Sequence, residues 1–110
     1  MTIVESLSFI FVIMDEEVKE LIARRRKQIL VHSYIYYELN ESLIDDYTWS
    51  EWAKELYDLQ THYPEESKST FLYEEFKDFD YSTGAGLDYF NPWVISKAKM
   101  LLDYVKRRKE

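Results

Sequence analysis

Cysteine is absent from the 110 residues, which excludes a disulfide scaffold, a thiol nucleophile and any zinc site that needs thiolates. Glycine and proline occur only twice each, so long stretches contain nothing that would break a helix. Histidine is equally scarce. His32 and His62 lie far apart, and that spacing argues against a metal site completed by scattered carboxylates. Positive charge is also in deficit: the formal net charge is −7 and the pI is near 4.9. A broadly basic surface for nucleic acid is therefore excluded. The basic residues form two groups, Arg24–Lys27 and Lys106–Lys109. The first reads as a solvated helix face and the second as a complement to a helix C-terminus, leaving at most a local phosphate contact.

Long apolar runs are missing too. SLSFIFVIM, within residues 1–14, is shorter than the roughly 20 residues a membrane span needs, and lacks the basic start and small-residue cleavage site of a signal peptide. Three readings of residues 1–13 stand: a short β-branched strand, an apolar arm docking on the body or on a second chain, and a leader upstream of a start at Met14. Residues 14–110 then form one domain, large enough for a modest core.

What the chain has in plenty is aromatic rings, with ten Tyr, six Phe and three Trp, concentrated between His32 and Pro64. The first helix is expected from Asp15, where acids suit the helix dipole, to about Leu39. Its inner stripe by angle is Val18, Leu21, Ile22, Arg25, Ile29, His32, Tyr36 and Leu39. Arg25 and His32 interrupt that face and need partners there. An acid on another helix would serve Arg25 and a backbone carbonyl His32; otherwise both are ligand contacts. Tyr34-Ile35-Tyr36-Tyr37 is apolar all round and is expected to be surrounded. Asn40–Asp45 connects to a second helix, capped by Asp46 and running from about Tyr47 to His62 before Pro64 stops it. Trp49, Trp52, Ala53, Leu56, Leu59, Gln60 and Tyr63 share its inner face.

Beyond Pro64, a polar break at Glu65–Ser69 precedes a short helix around Thr70–Lys77. An irregular segment, Asp78–Asn91, then holds Gly84 and Gly86 in a structured turn. Its TGAG lacks the spacing of a phosphate-binding loop, and Asp78, Asp80 and Asp88 lack the ligand order of a calcium loop. As an acid and base pair, Asp78 and Asp80 are a weak candidate. The last helix opens with Asn91 as cap and Pro92 at its first position, and runs to about Lys106. Val94, Ala98, Leu101, Leu102 and Val105 make one apolar strip and Trp93, Met100 and Tyr104 a second, which predicts a helix lying in a groove. The expected fold is all-α: a small bundle of three main helices plus one short helix, with a Gly-containing loop before the last.

Tyr36-Tyr37, then Asp46-Tyr47-Thr48-Trp49, then Trp52–Leu59 and His62-Tyr63-Pro64 resemble the small N-terminal domain of bacterial NAD-dependent DNA ligases. In that family this helical domain recognises the nicotinamide mononucleotide half of NAD. From Met14 onward the chain also resembles small ligase-like proteins of phages and prophages, through RRRKQILVHSYIYYELN, Phe76–Gly84 and Pro92–Leu102. The resemblance implies a ligand site at Tyr36, Tyr37, Asp46, Trp49 and Ser50, with nicotinamide mononucleotide or NAD as ligand. It also implies the cytoplasm of a bacterial host. Tyr36 and Asp46 match the family pattern. Tyr37 replaces its His, Trp49 its Tyr and Ser50 its final Asp. Rings can stack on a pyridinium, since a cation over an aromatic face gains roughly 0.5 to 2 kcal/mol.

Ligase catalysis is not expected, because covalent adenylyl transfer needs a KxDG lysine and Lys54, Lys97 and Lys99 have no Asp-Gly after them. No catalytic residue is assigned. Two functions are thus in play. One is a non-catalytic module holding a nicotinamide nucleotide. The other is an acidic interaction factor with a protein partner, such as a phage-encoded inhibitor of a host or defence enzyme, whose surface could mimic DNA.

Overall fold

A 36-residue helix, α1 (Ile3–Glu38), is the spine of the molecule. The computed structural model describes the backbone of residues 3–109 and the side chains of residues 14–109. After α1 come α2 (Asp46–His62), α3 (Pro64–Lys68), α4 (Tyr73–Phe76) and α5 (Pro92–Lys109). Among the described residues there is no strand, and the fold is the all-α bundle of three long helices that the sequence predicts. The polar break is itself helical, so there are two short helices rather than one. Pro64 occupies the first position of α3, where its missing N–H costs nothing. Among the described residues no helix is long and apolar enough to cross a membrane.

The backbone of α1 is helical from Ile3, so a short strand does not form at that end. Whether residues 1–13 act as an arm or a leader lies outside the described side chains. α1 contacts α2, α3 and α5, and α2 also meets α3. Ile22, Ile29 and Ile35 of α1, Leu56 of α2, Phe76 of α4 and Val94 of α5 are fully buried at their junction. Each such side chain contributes about 1.5–3 kcal/mol when taken out of water.

Two expected faces are rotated or incomplete. The buried cation of α1 is Arg26 rather than Arg25, because the core line follows Ile22, Arg26, Ile29 and Ser33. Arg26 donates from Nε to Gln60 Oε1 (2.8 Å), from Nη1 to the carbonyls of Thr70 (3.0 Å) and Phe71 (2.9 Å), and from Nη2 to the carbonyl (3.1 Å) and hydroxyl (2.7 Å) of Ser67. Its five N–H groups therefore all find oxygen. Burial pushes its pKa down to about 10, so it remains charged at neutral pH. On α5, Val94 and Ala98 are buried, but Met100 and Tyr104 are 62% and 57% exposed. Of the second strip only Trp93, at the start of α5, packs against the core, so the helix does not lie in a groove along its length. At the end of α1, Tyr34 and Ile35 are buried while Tyr36 and Tyr37 emerge at 55% and 42% exposure. The apolar end is therefore surrounded on one side and open on the other.

The ends of the helices are locally determined. α1 terminates where Asn40 takes a left-handed φ of 53°, a conformation Asn tolerates better than most residues. α2 is capped by Asp45, not Asp46: the Asp45 carboxylate accepts from the Thr48 N–H at 2.7 Å. The Asn91 side chain caps α5 by accepting from the Trp93 N–H at 3.1 Å, as expected.

Candidate functional site

The end of α1, the start of α2 and the 82–84 segment enclose a cavity of about 220 Å³. Tyr36, Tyr37, Asp46, Trp49 and Ser50, the five residues singled out in the sequence, all line it. They arrive from two helices. Tyr36 and Tyr37 are the outward-facing residues of the last turn of α1. Asp46, Trp49 and Ser50 lie within the first two turns of α2.

The aromatic wall is braced from behind. Tyr36 meets Tyr37 edge to face with centroids 5.0 Å apart, and Tyr37 lies nearly parallel to the buried Tyr89, 6.2 Å away and inclined by 8°. The Tyr37 and Thr83 hydroxyls are hydrogen-bonded at 2.9 Å, tying the 82–84 segment to α1. Asp80 shapes that segment by accepting from the backbone N–H (3.0 Å) and hydroxyl (2.6 Å) of Ser82, which hold its carboxyl below the usual range. Asp78 and Asp80 lie outside this cavity and line a separate hollow with Glu74 and Glu75. Gly84 lies directly over Ser33 and Trp49. A Cβ there would overlap Ser33 Oγ and come within 3.3 Å of Trp49 Cζ2. Glycine is needed here for close approach; its φ is not left-handed.

The acidic rim and the floor differ in character. Asp45 is committed to the α2 cap, and its bonds to Thr48 lower its carboxyl pKa. Asp46, one residue on, is left out of that cap and faces the cavity. No Lys or Arg lines the space, so it suits a neutral or cationic group better than an anion. His32 and Ser33 also line it, and the His32 ring packs 5.6 Å from Trp52. Burial lowers the His32 pKa from its ordinary value of 6.5, which makes the imidazole neutral at pH 7. His32 Nδ1 and Ser33 Oγ are both buried with no hydrogen-bond partner among the described residues. The backbone carbonyl expected for His32 is not supplied. Arg25 stands outside the cavity, with Nε 3.5 Å from the Glu55 carboxylate and its guanidinium 5.6 Å from the Trp52 ring centroid. Among the described residues no three His, Cys, Asp or Glu side chains are grouped to hold a metal ion.

No protein-family model, curated protein or solved structure matches the chain. The chemistry of the cavity must therefore be judged from its own residues. They comprise aromatic rings, two carboxylates, a neutral imidazole and several hydroxyls, with no Lys or Arg among them. Sequence reasoning missed Ser33, Thr83 and Gly84. The signal available was the Gly84 turn, whose distance from Ser33 in sequence hid their contact.

Proposed function

We propose that the chain is a non-catalytic binding module whose cavity takes the nicotinamide end of a nucleotide. The observation that carries this reading is the convergence of Tyr36, Tyr37, Asp46, Trp49 and Ser50 on one cavity, its rim acidic and free of Lys and Arg. A pyridinium can stack against the Tyr36 edge of the aromatic wall with its charge opposite Asp46. The volume of about 220 Å³ is below the roughly 300 Å³ of sites that enclose drug-sized ligands, so it admits a ring and part of a sugar. The remainder of the nucleotide would lie in solvent.

Calorimetric titration tests this directly. Nicotinamide mononucleotide and NAD are expected to bind with similar affinity, since the adenylate half gains no contacts. Asp46→Ala and Tyr36→Ala should each abolish the heat while leaving the circular dichroism spectrum unchanged, because neither residue is in the core or the cap. Saturable binding by both variants would refute the site.

A second reading, an acidic interaction factor with a protein partner, is favoured by another observation. Phe71, Phe90, Met100 and Tyr104 are each more than half exposed and lie outside the cavity, in a chain of net charge −7. Under that reading, Met100→Glu and Tyr104→Glu would abolish capture of the partner while leaving nicotinamide titrations unchanged.

A further inference from the structure

We infer that Ser33 and His32 form a reader for a primary amide at the cavity floor, which selects a ring bearing a neutral carboxamide over the same ring bearing a carboxylate. The inference rests on the nicotinamide reading above and deepens it by specifying which ring substituent the site accepts.

The starting point is an imbalance. Ser33 is 1% exposed, and its hydroxyl has no partner among the described residues. The adjacent His32 Nδ1 is in the same condition. Buried polar atoms are ordinarily paired, and two neighbouring exceptions on the lining of one cavity call for an external partner. Both residues sit in the penultimate turn of α1, and both line the cavity.

The complementary chemistry follows from their hydrogen-bonding capacities. A hydroxyl can donate and accept, and a neutral imidazole Nδ1 does one or the other according to its tautomer. A primary amide presents a donor and an acceptor side by side and satisfies either tautomer. With Nδ1 accepting from the amide N–H, the Ser33 hydroxyl donates to the amide oxygen; with Nδ1–H donating to that oxygen, Ser33 accepts from the amide nitrogen. A carboxylate has only acceptors, and the cavity carries Asp45 and Asp46 on its rim and no Lys or Arg to offset a further negative charge. Burial lowers the His32 pKa, so protonating the imidazole to pair with a carboxylate works against desolvation.

Access to these atoms passes under the 82–84 segment. Gly84 lies on Ser33, and the segment is joined to α1 by the Tyr37–Thr83 hydroxyl pair. Gly84 is therefore the backbone that a ligand must displace to reach the Ser33 hydroxyl.

The test compares nicotinamide mononucleotide with nicotinic acid mononucleotide, which differ only in amide against carboxylate, by calorimetry on the full chain at pH 7.5. The amide ligand is expected to bind at least about tenfold more tightly, as in sites built to pair a polar substituent. Ser33→Ala should shrink that preference severalfold without abolishing binding of the ring. Equal affinities on the unaltered protein would overturn the amide reader and leave the nicotinamide module standing, whereas no heat from either ligand at millimolar concentration would overturn both. If Ser33→Ala folds and retains the full preference, Ser33 is not the reader. Should that variant not fold, the ratio on the unaltered protein and the displacement of the His32 ring resonances by the amide ligand alone decide the matter.

Discussion

Arg26 holds a charge at zero exposure with no acid bonded to it, all five of its hydrogens resting on neutral oxygens from α2, α3 and the turn after α3. Removing the guanidinium leaves those oxygens buried without donors, so Arg26→Met is expected to cost about 3 kcal/mol or more in urea unfolding. Arg26→Lys keeps the charge but has three donors in place of five, and should recover only part of that loss. His32 gives a prediction of a different kind. Its folded pKa lies below its ordinary value of 6.5, so the unfolded chain binds the proton more readily than the folded one. Stability from this residue is complete above pH 6.5 and declines as the pH falls through 6.5 toward the depressed folded value. Melting temperatures between pH 7.5 and 5.5 should therefore drop in the native protein and drop less in His32→Gln. The sequence announced His32 as an interruption of an apolar stripe, but it could not separate Arg25 from Arg26. Neighbouring arginines differ by only about 100° around the helix, and the oxygens that select between them come from residues 60–71.

At the scale of the element, the same ambiguity occurs with the two acids that open α2. Both suit a helix N-terminus; only the extended backbone of Asp45, φ −80° and ψ 166°, puts its carboxylate on the Thr48 N–H. Asp45→Ala should lower the melting temperature, with the difference from the native protein vanishing as the pH falls well below 3.8, because the cap holds the folded carboxyl below that value. Asp46→Ala, which removes a first-turn acid but no cap hydrogen bond, should lower the melting temperature less than Asp45→Ala at neutral pH, which makes it the cleaner probe of the cavity. Differential scanning calorimetry of the pair checks both statements. Helices bounded by strong local signals were legible: the Asn40 turn, the Asn91 cap and the Pro92 start all stand where expected. The segment after Pro64 was not, since α3 and α4 are five and four residues long and are held by tertiary contacts. One of these is the Arg26 clamp on Ser67. Leu72 adopts a left-handed φ of 72°, which no local preference of leucine would suggest.

In the whole molecule the cavity is a junction of three stretches of chain, 32–37, 42–50 and 82–84, joined by the Tyr37–Thr83 hydrogen bond across 46 residues of sequence. The first two stretches are neighbours in sequence, which is why the five candidate residues could be named together; the third is brought in by folding alone. Because no part of the site exists in the unfolded chain, whatever fills it binds the native state exclusively. Occupancy and folding are then linked by mass action, so a ligand at a hundred times its dissociation constant adds about 2.7 kcal/mol to the stability of the entire domain. Heat resistance itself becomes the assay: a thermal-shift screen of neutral and cationic rings should find the occupant as the compound that raises the melting temperature in proportion to the logarithm of its concentration, and Asp46→Ala should flatten that response.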